Sequence, residues 1–296
     1  MAGPVIHTYR AAESGLLVNS FVVEGESGVV VVDTNLLVSD IEALRARLKA
    51  LKKPLRAIFV THAHPDHFNG IAALVEDSGV SVYAAASVAR VITEIADAKR
   101  AQWRPVYGEE WPAETYYPNS LLADRDTVQI DELVFAVREL GAAESHADSY
   151  LTLTADGSHP VAFTGDLAFH GTHPYTADGH TAAWLAALDT VTGELAQVAT
   201  LYPGHGDPAG PGLLADQRRY LLYYREVIAR LSAGEPELTE QAKTELDATM
   251  QAFLPGAPLT WMITLGADAV AAELAAGTGP AAASTAGAAA AAGSKG

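Results

Sequence analysis

The sequence predicts an α/β fold in which β-sheets are layered against helices. Short runs of β-branched and aliphatic residues recur along the chain, and amphipathic helical patterns alternate with them. This strand and helix order is repeated in two successive halves, as expected of layered α/β proteins. The apolar fraction of 49% supplies enough side chains for a packed core.

The first half is predicted to begin with two strands that are joined by a polar turn at residues 24–28. A helix capped by Ser39 or Asp40 should follow them and run to about Lys52. The predicted elements of this half are strands 16–23 and 29–32, the capped helix, strand 55–60, helix 71–77 and strand 80–84.

The second half is predicted to begin with a hairpin over residues 128–140, which is broken at Asp131 and Glu132. It continues with strands 150–154 and 161–164, helix 181–191, strand 198–202 and helix 211–231. We expect one domain over residues 1–276. The remaining segment, 277–296, contains small residues almost exclusively and is expected to be a disordered low-complexity tail.

An aromatic-rich segment at about 87–125 separates the two halves. It begins with a helical pattern and continues with several Trp, Tyr and Pro residues. This composition fits either a surface insertion with its own small core or an aromatic lid over a substrate cleft. The sequence leaves both interpretations open.

Charge and cysteine content exclude several functions. The chain has 19 basic and 36 acidic residues, a formal charge of −17, so we expect neither nucleic acid nor an anionic membrane as a partner. It contains no cysteine, which excludes thiolate metal sites and a cysteine nucleophile. Without a signal-peptide pattern at the start or a long apolar run, a cytoplasmic protein is expected.

The strongest functional signal is the heptapeptide Thr61-His-Ala-His-Pro-Asp-His67, directly after a buried strand. It provides three imidazoles and one carboxylate, which suit zinc, iron or manganese. One metal site needs further ligands from other strand ends. Three candidates follow predicted strands: His146, Asp166 and His205.

This ordered series resembles that of the metallo-β-lactamase-fold hydrolase superfamily, over roughly residues 16–231. The resemblance implies an αββα four-layer sandwich with two metal ions at one edge, between the sheets. Asp166 stands where many β-lactamases of the family have cysteine, which is similar to the glyoxalase II and lactonase branch. The implied roles are His62, His64 and His146 on the first metal, Asp66, His67 and His205 on the second, Asp166 as the bridge, and Asp33 as a supporting residue.

The resemblance implies a hydrolase with two divalent cations, zinc first and iron or manganese as alternatives. Two such cations can share a water, lower its pKa and supply a bridging hydroxide that attacks a carbonyl carbon. Asp66 is expected to orient this nucleophile and accept its proton. The Gly-x-Ser-x-Gly elbow of serine hydrolases is absent from the sequence.

The distribution of basic residues along the chain narrows the class of substrate. No Lys or Arg occurs between Arg138 and Arg218, although this stretch carries three candidate ligands. Anionic substrates usually need a positioned cation, so a neutral ester, lactone or thioester of a small molecule is favoured. Basic residues of the 87–125 segment, Lys99 among them, remain an alternative source of positive charge.

The loop after Asp166 holds Tyr175 and His173, which we predict as residues that hydrogen-bond the substrate carbonyl or leaving group. The competing interpretation is a polar loop with solvated histidines. Two rival functions also remain: a β-lactamase or phosphodiesterase that uses the same site, and a non-catalytic metal-binding module. The number of candidate ligands argues against the module, and the protein is expected to be a monomer or homodimer.

Overall fold

Two mixed β-sheets form the centre of the fold in the computed structural model, which describes residues 4–76 and 79–277. The first sheet has six strands in sequence order: β1 (Val5–Arg10), β2 (Asn19–Glu24), β3 (Val29–Val32), β4 (Leu55–Val60), β5 (Ser81–Ala85) and β6 (Ser120–Leu122). Neighbours from β1 to β3 are antiparallel, and those from β3 to β6 are parallel.

The second sheet has five strands: β7 (Thr127–Ile130), β8 (Leu133–Gly141), β9 (Asp148–Thr154), β10 (Val161–Phe169) and β11 (Thr200–His205). Strands β7 to β10 are antiparallel in succession, and β11 lies parallel to β10 at one edge. The hairpin predicted at Asp131 and Glu132 is confirmed as the turn between β7 and β8.

Aromatic side chains from both sheets meet in the main core. Phe59 of β4 stacks on Phe135 of β8 with ring centroids 4.8 Å apart, and Phe21 of β2 lies 5.4 Å from Phe163 of β10. All four rings are at most 1% exposed. Full burial of such a side chain contributes about 1.5–3 kcal/mol, so these contacts hold the two sheets face to face.

Helices cover the outer face of each sheet, which confirms the predicted αββα layering. On the first sheet lie α1 (Val38–Leu51), α3 (Ile71–Glu76) and α4 (Ala86–Tyr107), which contribute buried residues to the core of that sheet. On the second lie α5 (Thr181–Glu194) and α6 (Leu213–Ser232), where Trp184 and Leu221 pack in the cluster of β10. The short helix α2 (Pro65–Phe68) follows β4 directly.

Three further helices follow α6: α7 (Glu240–Phe253), α8 (Trp261–Leu265) and α9 (Ala267–Ala275). They pack on α6 through a separate apolar cluster that includes Tyr224, Leu246 and Val270. Glu273 of α9 accepts hydrogen bonds from the backbone N–H groups of Thr181 and Ala182, and so caps the start of α5. This bond ties the C-terminal helices to the second sheet's helical layer.

Several local predictions were wrong. Strand β1 is formed by residues for which the sequence predicted no strand. The sequence predicted that Ser39 or Asp40 caps helix α1, but the helix already starts at Val38, and Leu37 before it gives no side-chain cap. The carboxylate of Asp40 instead accepts hydrogen bonds from the Tyr9 hydroxyl and the Ala12 N–H. The tail predicted at 277–296 stays a prediction, because only Gly277 of it belongs to the described residues.

The 87–125 segment is largely helix α4, followed by a 3-10 turn at Gly108–Glu110 and by β6, which extends the first sheet. It is therefore integrated into the fold through β6. None of the helices in the described part of the chain is both long and apolar enough to cross a membrane.

Candidate metal centre

The predicted ligands come from strand ends that meet at one edge of the two sheets. His62 is the second residue after β4 and forms an isolated bridge with Asp148 at the start of β9. Asp166 lies in β10 where the register with β11 shifts, and His205 is the last residue of β11. Because these strands converge from both sheets, the sandwich itself positions the side chains.

The first group of candidate ligands contains two histidines and two carboxylates: His62, His64, Glu144 and Asp166. His64 Nδ1 lies 2.9 Å and His62 Nε2 3.7 Å from Oε2 of Glu144, and His62 Nε2 lies 4.0 Å from Oδ2 of Asp166. One ligand atom from each residue lies within 4.8 Å of all the others, and all four residues are buried.

The second group shares Asp166 with the first and adds Asp66, His67 and His205. His205 Nε2 is 3.2 Å from Asp166 Oδ2 and 3.3 Å from Asp66 Oδ2. His67 Nε2 is 3.3 Å from Asp166 Oδ1 and 3.5 Å from Asp66 Oδ2. Asp166 presents Oδ1 to His67 and Oδ2 to His205 and His62, and it is the one residue that both groups contain. The bridging role that the resemblance implies for it stays a prediction.

Each of the four imidazoles is held by a hydrogen bond on the nitrogen that faces away from its group. The acceptors of these bonds are Thr61 Oγ1 for His62 Nδ1 (3.0 Å), Asp178 Oδ2 for His64 Nε2 (3.0 Å), Asp33 Oδ2 for His67 Nδ1 (2.8 Å) and the Leu16 carbonyl for His205 Nδ1 (2.9 Å). Such bonds fix the tautomer and leave the other ring nitrogen free for a cation.

The polar atoms inside the groups fit divalent cations. His62 Nε2, His67 Nε2, Glu144 Oε1 and Asp166 Oδ1 are buried without a hydrogen-bond partner. Leaving such atoms unpaired costs about 1–3 kcal/mol each. Nitrogen and carboxylate oxygen are ligands for zinc, iron and manganese, so bound cations would satisfy these atoms.

Close backbone approach is required beside Asp166. A Cβ added at Gly204 would lie 2.0 Å from Asp166 Oδ1, and one at Gly165 would lie 2.6 Å from Thr61 Oγ1. Gly165 also has a φ of +50°, which disfavours other residues. These two glycines therefore allow Asp166 and the β4 end to come together.

Burial and charge shift the pKa values of this cluster. Burial raises the pKa of Glu144 to about 8 and lowers that of His62 well below its usual value. Burial alone would raise the pKa of Asp166, but His205 and His67 hold it well below the usual range. Desolvated carboxylates packed this closely are costly unless cations neutralise them.

Glu144 lies in the first group, for which the sequence predicted His146. Oδ2 of Asp148 accepts hydrogen bonds from the Ala143 and Ser145 backbone N–H groups, and this turn directs Glu144 into the site. The His146 side chain is 44% exposed, and its Nδ1 lies 2.6 Å from Nε2 of His180. The structure thus brings six of the seven predicted ligands together and leaves His146 outside both groups.

The two predicted substrate contacts have different surroundings. Tyr175 lines the cleft above the groups, with its ring 5.0 Å from His64 and its hydroxyl donating to Asp178 Oδ1 at 3.2 Å. His173 is fully buried, its Nδ1 lies 2.8 Å from the Tyr220 hydroxyl, and it does not line the cleft. His173 thus packs against Tyr220 of α6 and lies away from the cleft where the sequence predicted its contact with substrate.

The cleft has about 550 Å³ of empty space and opens to solvent. His64, Asp66, Asp166 and His205 line its metal-facing side. Its other walls are mainly apolar and aromatic, and they include Leu36, Trp103, Tyr107, Trp111, Phe169, Trp261 and Met262. A mainly apolar lining with a few convergent polar groups is typical of small-molecule sites.

The fold and the shared-carboxylate geometry define a class of protein, and comparison with known families agrees. Residues 14–205 match the model of the metallo-beta-lactamase superfamily, and the chain therefore belongs to this superfamily, whose members are mostly metal-dependent hydrolases.

Curated relatives match only a short part of the chain. The exodeoxyribonuclease WalJ of Streptococcus pneumoniae is 34% identical over 76 residues, 26% of this chain and 28% of that protein. A linear primary-alkylsulfatase of a Pseudomonas species is 37% identical over 59 residues, 20% of this chain and 11% of that protein. The match thus covers 28% of the length of the exodeoxyribonuclease and 11% of that of the alkylsulfatase.

Solved structures show the same fold over most of the chain. A metallo-beta-lactamase from Pontibacter korlensis has a TM-score of 0.59 at 22% identity, covering 75% of this chain and 96% of that one. A metallo-beta-lactamase from Hirschia baltica has a TM-score of 0.55 at 19% identity, covering 73% and 93%. At sequence identities this low, the similarity to these structures shows a shared fold alone.

Proposed function

We propose that this protein is a dinuclear metal-dependent hydrolase that cleaves an ester, lactone or thioester bond of a small molecule. The observation that carries the proposal is the pair of buried ligand groups that share Asp166 at the bottom of an open cleft. The four imidazoles support the same conclusion, because the outward-facing nitrogen of each ring is already hydrogen-bonded. A cluster of polar side chains that binds no metal does not require this arrangement.

Two bound divalent cations would supply Lewis acidity, which activates water at neutral pH and polarises the bond to be cleaved. The protein contributes the placement of its own groups. Asp66 lines the cleft within the second group, with Oδ2 3.3 Å from His205 Nε2. We assign its carboxylate the role of orienting the water and accepting its proton. Tyr175 lines the same cleft, and we retain it as a candidate donor to the substrate.

Glu144 lowers the charge of the loaded site. The groups contain three carboxylates, those of Asp66, Glu144 and Asp166, so with two divalent cations the ligands and cations together would carry a net charge of +1 before any bound hydroxide is counted. A histidine in place of Glu144 would leave +2. The lower charge weakens attraction to polyanions and supports a neutral substrate.

The cationic side chain in the cleft does not restore this attraction. Lys99 lines the cleft, but its Nζ lies 3.7 Å from Asp178 Oδ1 and 5.6 Å from the centre of the Tyr175 ring. A neighbouring carboxylate thus offsets its charge. With the formal charge of −17, this arrangement argues against a nucleic-acid substrate of the kind named for WalJ.

A second candidate is hydrolysis of an alkyl sulfate ester. It is supported by the match to the linear primary-alkylsulfatase together with the apolar walls of the cleft, which suit an alkyl group. This substrate carries one negative charge, which a site of net charge +1 tolerates better than a more highly charged phosphate.

One substrate panel tests both candidates. Zinc-, manganese- and iron-loaded protein would be assayed on an aryl ester, a lactone, a thioester, an alkyl sulfate, a chromogenic cephalosporin and a phosphodiester. We expect turnover fastest on one of the first three, abolished by a chelator and by Asp166→Ala, and retained by Asp189→Ala, whose carboxylate is exposed on α5. Fastest turnover of the alkyl sulfate selects the second candidate.

Turnover of the phosphodiester or cephalosporin above all other substrates would refute the argument from charge. Activity that survives both metal removal and Asp166→Ala would refute the site itself.

A further inference from the structure

Two segments far apart in sequence build the apolar part of the cleft. Helix α4 and the turn after it provide Trp103, Tyr107 and Trp111, and α8 provides Trp261 and Met262. Helix α8 lies beyond residue 205, where the family match ends. The α4 part of this wall lies within the residues that match the family, and the α8 part lies outside them.

The aromatic residues on the α4 side are held in place. The ring centroids of Trp103 and Tyr107 are 6.1 Å apart, and those of Tyr107 and Trp111 are 6.2 Å apart. Trp111 is 4% exposed and packs with Leu36 and Leu37, which precede α1. A wall fixed by such packing is formed before any ligand arrives, which reduces the entropy cost of binding.

Trp261 is a large apolar side chain that folding leaves accessible. It is 44% exposed and lines the cleft, whereas its neighbour Met262 is 3% exposed. The position of α8 is fixed from behind, because the Tyr224 hydroxyl donates to the Ile263 carbonyl at 2.5 Å. Exposed tryptophan beside a cleft is apolar area available to a ligand.

We propose that the substrate carries a non-polar alkyl or aryl group that binds between the α4 aromatic wall and Trp261, with its reactive bond at the metal groups. The inference rests on the proposed hydrolase function and names the substrate class of that same site. The offset charge of Lys99 beside Asp178 fits a non-polar rather than a charged extension of the substrate.

Chain length gives the quantitative expectation. Each methylene buried against such a wall is worth about a fourfold gain in kcat/KM until the cleft is filled. Replacing Trp261 removes much of this area, so Trp261→Ala should lower kcat/KM for a decanoyl ester about 10-fold or more. Ethyl acetate, which carries neither a long alkyl group nor an aryl group, should change less than about twofold.

The kinetic experiment measures kcat/KM on 4-nitrophenyl esters from acetyl to decanoyl and on acetates of ethanol to decanol. Two series are needed because the apolar group can stand on either side of the bond. Wild type, Trp261→Ala, Trp103→Leu and Leu265→Ala would be compared, the last as a control because Leu265 is exposed on α8 and does not line the cleft. A length dependence that Trp261→Ala reduces and Leu265→Ala preserves supports the proposal.

A binding measurement separates the inference from the proposed function. Decan-2-one and acetone, which cannot be hydrolysed, would be titrated while tryptophan fluorescence is recorded. Saturable binding of decan-2-one, weakened about 10-fold or more in Trp261→Ala, supports the apolar site even if no ester is turned over. Equal rates along both ester series together with no preference for decan-2-one over acetone would overturn the inference, even if hydrolysis is confirmed.

Discussion

Asp33 lies behind the second ligand group, and its replacement by asparagine is a sharp test of how His67 is prepared for a cation. Oδ1 of Asp33 accepts a hydrogen bond from the Thr61 N–H at 2.9 Å. Oδ2 accepts from Thr61 Oγ1 and from His67 Nδ1, both at 2.8 Å. Asp33 has a φ of +60°, which asparagine also tolerates, so Asp33→Asn keeps the backbone and the side-chain shape.

The substitution reverses the hydrogen bond to His67. The new amide nitrogen is a donor, so His67 Nδ1 must accept and the ring proton moves to Nε2, the atom that faces the ligand group. Restoring the metal-binding tautomer leaves two buried N–H groups pointing at each other. Flipping the amide only transfers this conflict to the Thr61 N–H.

An unpaired buried donor costs about 1–3 kcal/mol, which corresponds to roughly 5- to 150-fold in affinity. Loss of a hydrogen bond behind a metal ligand typically lowers metal affinity 10- to 100-fold. We therefore expect Asp33→Asn to weaken one zinc equivalent, that of the group containing His67, about 10- to 100-fold, and the other by about threefold at most.

Zinc titration in competition with a chromophoric chelator measures both equivalents. Asp40→Asn is the matched control, because this buried carboxylate accepts from the Tyr9 hydroxyl and the Ala12 N–H rather than from a candidate ligand. Unchanged affinity of Asp33→Asn for both equivalents, with the fold intact by circular dichroism, would refute the tautomer argument.

Three further substitutions test the site and the packing. Glu144→Gln should remove at least one zinc equivalent and most of the hydrolytic activity. In the same titration and assay, His146→Ala should keep the zinc affinity and the activity within about twofold of wild type. The reverse pattern would identify His146 as the ligand. Gly204→Ala should lower zinc stoichiometry below two, because its Cβ would lie 2.0 Å from Asp166 Oδ1; unaltered stoichiometry would contradict this close approach. Glu273→Ala should reduce the free energy of unfolding in urea by about 1–3 kcal/mol, because buried N–H groups at the start of α5 lose their acceptor, and unchanged stability would argue against this cap.

The sequence predicted the fold where local pattern and tertiary structure agree. Val29–Val32 is apolar throughout and becomes the fully buried β3, and the turn at Asp131 and Glu132 joins β7 to β8 as expected. The start of α1 was harder to place, because Asp40 satisfies the distant Tyr9 and Ala12 rather than capping its own helix. A tertiary partner of this kind leaves no local pattern.

The prediction of the ligands met the same limit, because a tertiary contact decides which side chain enters the site. His62 and His205 are recognisable because one follows a strand and the other ends one, and Asp166 because it comes directly after the apolar part of β10. Strands that converge at one edge of the sandwich place these side chains together. Glu144 and His146 lie in an irregular loop, where no residue alternation fixes which side chain points inward. The available signal was the Asp148 carboxylate, which accepts from the loop backbone and turns Glu144 into the site.

Anomalous diffraction from crystals of the zinc-loaded protein tests the central claim most directly. We predict two peaks that both lie about 2.0–2.2 Å from Asp166 oxygens. One should contact His62, His64 and Glu144, and the other Asp66, His67 and His205. A single peak without Asp166, or a peak coordinated by His146 in place of Glu144, would contradict the account.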